Sequence, residues 1–63
     1  MRQKVFHLVI DGRKSEQCCA HSLLEAADIL MRPHRPFRPV QTGRTFVEYV
    51  AKNIPMRVEE EVK

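Results

Sequence analysis

The sequence predicts an α+β fold: a small three-stranded antiparallel sheet, built from an N-terminal hairpin and a C-terminal strand, with one or two helices packed on one face. The prediction rests on a β-rich run closed by Asp11-Gly12, a capping signature at Ser22–Glu25 and an alternating tail from Met56 to Lys63. At 63 residues the chain has room for one small domain, 1–63.

Lys4 to Ile10 (KVFHLVI) is rich in β-branched and aromatic residues, and Phe6, Leu8 and Ile10 alternate onto one face. Asp11-Gly12 suits a type I′ turn, because Gly tolerates the positive φ that such a turn demands. The returning strand reaches Ala20, giving a hairpin over 4–20. A tight turn sets Ile10 against Arg13, Val9 against Lys14 and His7 against Glu16. The second strand is polar until Cys18, which fits a sheet edge, where charge discourages unwanted pairing.

Ser22-Leu23-Leu24-Glu25 is a capping box: the Ser hydroxyl accepts from the Glu25 N–H, and the Glu carboxylate reaches back to the Ser22 N–H. At ~100° per residue, Leu23, Ala26, Ala27, Ile29, Leu30 and Met31 form a broad apolar arc. Glu25, Asp28 and Arg32 lie opposite, and Pro33 ends the helix, predicted over 22–32. So short a helix must pack on something, and the Phe6/Leu8/Ile10 face is the natural surface.

Residues 33–44 read as a Pro/Arg loop. Prolines at 33, 36 and 39 match the period of polyproline II, placing His34, Phe37 and Val40 on one edge and Arg35, Arg38 and Gln41 on another. Residues 45–54 fit either a helix or a strand. Thr45–Glu48 is a second capping pattern and Phe46, Val47, Val50, Ala51 and Ile54 share a helical face, whereas Thr, Phe, Val and Tyr favour strands. The helix, ended by Asn53 and Pro55, is the slightly preferred reading. From 56 to 63 Met56, Val58 and Val62 face inward, while Arg57, Glu59, Glu61 and Lys63 face water. Glu60 falls on the inward register, at a fraying edge or against a partner's cation.

With 43% apolar and 30% charged residues, the composition is too apolar for a disordered tail. The apolar runs are too short for a membrane span or a secretory signal. Cys18 and Cys19 are neighbours, and Cα atoms ~3.8 Å apart fall short of the ~4.4–6.8 Å of an ordinary disulfide. Free thiols fit a reducing, cytoplasmic setting. A chain of this size buries only ~60% of its unfolded surface. Dimerisation or docking on a larger protein is therefore one expected route to added stability.

The formal net charge is +3, and residues 32–44 carry four arginines and no acid. Guanidinium groups present a planar fork to phosphate or carboxylate and stack on rings. The candidate partner-binding residues are Arg32, His34, Arg35, Phe37, Arg38 and Arg44, joined by Arg13 and Lys14 of the hairpin. The tract suits a stiffened arm docking on a protein, a single-strand nucleic-acid contact, or a merely solvated loop. The leading expectation is a non-enzymatic binding protein engaging a larger protein or nucleoprotein partner; the alternatives are sequence-tolerant nucleic-acid binding and a small zinc-stabilised module. Cys18, Cys19 and His21, with His7 or His34, prompt the zinc alternative, but Cys-Cys-x-His lacks the usual ligand spacing, so no metal ligand or cofactor is assigned. Nor is an active site assigned: His7–Glu16 reads as a surface pair, Ser22 as a cap, and two glycines cannot make a phosphate loop.

The order strand, Asp-Gly hairpin, helix opening Ser-Leu-Leu-Glu-Ala-Ala and final alternating strand resembles small phage-encoded inhibitors, among them anti-CRISPR proteins and phage inhibitors of host RNA polymerase. The resemblance spans residues 4–31 and 56–63 by element order. It implies a non-enzymatic protein that binds and blocks a host nucleoprotein machine, and it assigns no residue a role.

Overall fold

A computed structural model describes residues 2–61, and its sheet has five strands instead of three. These are β1 (Lys4–Ile10), β2 (Arg13–Ala20), β3 (Arg38–Thr42), β4 (Phe46–Ala51) and β5 (Ile54–Glu60). All pair antiparallel, in the order β2-β1-β5-β4-β3. The helix α1 (Leu23–Met31) and a 3-10 turn at Arg32–His34 connect the two edge strands. The fold is still α+β, but the expected three-stranded sheet with one or two helices is overturned. The last predicted strand residues, Val62 and Lys63, lie outside the described residues.

Residues 45–54 account for much of the difference. Val47, Tyr49 and Ala51 are buried while Phe46, Glu48 and Val50 are half-buried, a period of two. The strand prevails because β4 is flanked by β3 and β5, so both sides of its backbone find ladder partners. The second capping pattern is not used: the Thr45 carbonyl accepts from the Glu60 N–H at 2.7 Å, and the Glu48 carboxylate accepts from Arg57 at 2.8 Å. Lys52 and Asn53, at φ 53° and 66°, make the tight β4–β5 turn.

The Pro/Arg loop is also corrected. Pro33 lies in the 3-10 turn and Pro39 in β3. Arg32, although it precedes Pro33, keeps helical angles (φ −53°, ψ −43°), whereas Arg35 before Pro36 is extended. The polyproline edge does not form, because tertiary packing separates its members. Phe37 packs edge-on against Tyr49, with ring centroids 5.1 Å apart, while Val40 stays 60% exposed.

In the hairpin, Asp11 and Gly12 have positive φ, as the turn requires, and Ile10↔Arg13 and Val9↔Lys14 pair as predicted. A bulge then inserts Ser15, so Glu16 opposes Leu8 and His7 opposes Gln17. The helix opens on Ser22, whose Oγ accepts from the Glu25 N–H at 3.2 Å; the Glu25 carboxylate accepts from His21 N–H, not Ser22.

α1 lays Ala26, Ala27, Leu30 and Met31 across Phe6, Leu8, Val47, Tyr49, Met56 and Val58 to form the core. The two alanines let the helix backbone approach the sheet closely. Ile29, placed in the predicted apolar arc, is 44% exposed. Cys18 packs against the core and Cys19 is exposed, as strand alternation demands. Both sheet edges are guarded against strand addition: β2 by its bulge, Arg13 and Lys14; β3 by Arg38, Pro39 and a bulge at Val40.

A chain of 63 residues has a folding margin of only about 3–9 kcal/mol. Leu8 is fully buried. Leu8→Ala should therefore remove about 2–5 kcal/mol, leaving a marginal or unfolded chain in urea titration. A Cβ on Gly43 would run into the Phe46 ring. Gly43→Ala should lower the urea midpoint by the equivalent of about 1–3 kcal/mol.

Candidate functional site

The hairpin turns Asp11–Gly12 and Lys52–Asn53 lie at the same end of the sheet, because Ile10 pairs with Met56 and Ala51 with Ile54. The 3-10 turn arrives at that end from α1, and β3 starts there, with Arg38 opposite Val50. Two clefts open on either side of the Lys52–Asn53 turn. One, of about 300 Å³, is lined by Ile10, Pro33, Ala51, Ile54 and Met56, with His34 and Lys52 among its walls. The other, of about 310 Å³, is formed by Pro36, Phe37, Val50 and Asn53, with Arg38 and again Lys52. Among the described residues, no carboxylate lines either cleft.

The predicted binding residues do not form one surface. His34, Phe37 and Arg38 line these clefts. Phe37 serves as wall and core packing together, since its ring meets Tyr49. Arg32 and Arg35 turn toward Asp28, at 2.6 and 3.9 Å, so helix α1 partly neutralises them. Arg38 and Arg44 have no ion-pair partner among the described residues. Arg44, however, lies beyond the far end of β3, on the order of 20 Å from Arg38 at ~3.3 Å per strand residue.

Arg13 pairs with Ile10 and so stands one strand beyond the Ile10 cleft. Lys14 lies on the sheet face away from α1, where it lines a different cleft with Val9, Glu48, Arg57 and Glu59. Sequence reasoning missed Lys52, which stands between the two clefts. Its only signal was Lys-Asn between apolar runs, a turn-prone pair obscured by the helical reading of 45–54.

The helix-free face of the sheet is closed by its own charges. Arg57 donates to Glu48 at 2.8 Å, approaches Glu59 at 3.6 Å and stacks over Phe46 at 5.3 Å. The hydrogen bond to Glu48, the first cause, holds the guanidinium pKa above its ordinary value. His7 is buried and bonds Glu61 through Nε2 at 2.9 Å, which replaces the expected pairing with Glu16. Glu60, on the inward register, meets Lys4 at 3.8 Å. Glu48, Glu59 and Glu60 thus have basic partners within the chain, whereas Arg38 has no acidic partner among the described residues.

The zinc alternative loses its geometry here. Cys18 and Cys19 lie on opposite faces, and no cluster of three His, Cys, Asp or Glu among the described residues is placed to hold a metal ion. No helix among the described residues is long and apolar enough to cross a membrane. Burial, followed by the neighbouring Cys19 and Glu25, raises the Cys18 thiol above its ordinary pKa. Iodoacetamide at neutral pH should therefore alkylate exposed Cys19 first, with Cys18 lagging and its rate climbing as pH rises. Equal rates, read by mass spectrometry of the peptides, would contradict this placement. No family model, curated protein or solved structure matches the chain.

Proposed function

We propose that the chain is a non-enzymatic binding protein that engages a larger protein, free or within a nucleoprotein assembly, through the basic end of its sheet. The observation that carries this reading is the pair of clefts sharing Lys52, walled by apolar side chains and edged by Lys52, Arg38, His34 and Asn53, with no carboxylate among the described residues in either lining. Concave apolar surface with a few oriented polar groups is the usual form of a recognition site. Arg38 supplies charge that no acid among the described residues pairs with. The inhibitor role implied by the resemblance to phage proteins belongs to the same proposal, with a host machine as the partner.

Nucleic-acid binding has less support. Phe37, whose ring could otherwise stack on a base, is engaged with Tyr49, and Arg32 and Arg35 lean on Asp28. Phosphate tracking favours a continuous row of free cations, and here the cations are split between distant places.

The expected outcome is nuclease-resistant capture of a protein from source-cell lysate. Arg35→Ala with Arg38→Ala should weaken that capture at least severalfold. Both residues are exposed, so stability should change by only ~0.5 kcal/mol. Undiminished capture by the double variant would refute the proposal, and capture abolished by nuclease would transfer the site to nucleic acid.

A further inference from the structure

The linings of the two clefts bear on the chemistry of what they accept. The cleft under the 3-10 turn is bounded by Ile10, Ala51, Ile54 and Met56, with Pro33 as a further apolar wall. Its volume of about 300 Å³ is at the bottom of the ~300–1,000 Å³ range of ligand sites, room for one or two side chains. Ile54, on its wall, is 39% exposed and is one of the few large apolar residues left in contact with water. The charged or titratable groups lining the pair of clefts are His34, Lys52 and Arg38, all cationic or able to become so. A cationic partner would be repelled, and an apolar one would leave these groups unmatched.

Resting on the binding-protein reading, we infer that the partner presents an acidic segment with one large apolar side chain. That side chain seats between Ile10, Ala51, Ile54 and Met56, while flanking carboxylates meet Lys52, His34 and Arg38. Recognition is through side chains. Addition of a strand at β3 is opposed by Pro39 and the bulge at Val40. Lys52 is well placed for this role, because the tight turn holds its backbone at φ 53° between the clefts.

The test uses the full chain and a capped hexapeptide, acetyl-Glu-Asp-Leu-Phe-Asp-Glu-amide, titrated while backbone amide shifts are followed by NMR. Shifts should concentrate at Ile10, His34, Lys52 and Ile54. A peptide with Ser in place of Leu and Phe should bind about tenfold more weakly or worse, as expected for loss of a buried anchor. One with Gln and Asn in place of the acids should weaken similarly. Lys52→Asn removes the charge but suits positive φ, so the turn should survive and affinity should fall severalfold. Ile54→Glu should block the cleft with a like charge, and a retained NMR spectrum would show that it folds.

Absent binding, shifts centred on Lys14 and Arg57, indifference to the apolar anchor, or tighter binding of an oligothymidylate would each overturn the inference. Failure of the wider reading is distinguishable, because it appears as unchanged partner capture by the Arg35/Arg38 double variant. Arginine-dependent capture with no peptide effect at the cleft would sink only the acidic-anchor assignment.

Discussion

One nine-residue helix has to seal a whole face of a five-stranded sheet, and most other features of the molecule answer to that constraint. Burial of Phe6, Leu8, Met31 and Val58, each contributing about 1.5–3 kcal/mol, supplies the principal driving force. Ala26 and Ala27 bring the helix down close enough for this to happen. With no second α-helix among the described residues to cover the opposite face, that surface must be tolerable in water. Arg57, Glu48, Glu59 and Phe46 make it so, by a network of charge and ring stacked over the strands. Such an exposed network adds little stability per pair; its greater effect is to set charge beside half-buried Val9, which pairs with Arg57 across the strands.

The same shortage of covering elements explains where the candidate site lies. A single short helix cannot cap the ends of the sheet, so the end carrying the Lys52–Asn53 turn retains apolar clefts that a larger protein would fill from within. The chain passes this end once more as it leaves α1, and the 3-10 turn deposits His34 there before Arg38 opens β3. Basic charge and unfilled apolar volume thus meet for topological reasons. Several of the other charges form local pairs, such as Arg32–Asp28, or join the network around Arg57. The acids around Arg57 are thus paired within the sheet face, whereas the end carrying Arg38 and Lys52 has no such pairing among the described residues.

What the sequence determined by itself was local chemistry. Asp11-Gly12 could make a tight turn and Ser22 a helix cap without knowledge of distant residues, and both do so. The two-residue period of β1 and of Met56–Val58 could likewise be read from a short window. The pairing of strands depends instead on partners far along the chain. Residues 46–51 are a strand because β3 and β5 flank them, and 38–42 are a strand because β4 takes their hydrogen bonds. Proline spacing gave no hint of that pairing. The bulge at Ser15 moved His7 off Glu16, and the fold then supplied Glu61, 54 positions away, as its partner. Lys52 met His34 and Arg38 only through the return of the chain to one end of the sheet. Hydrogen-bond ladders and shared burial join residues remote in sequence, and a local period cannot encode which of them will meet.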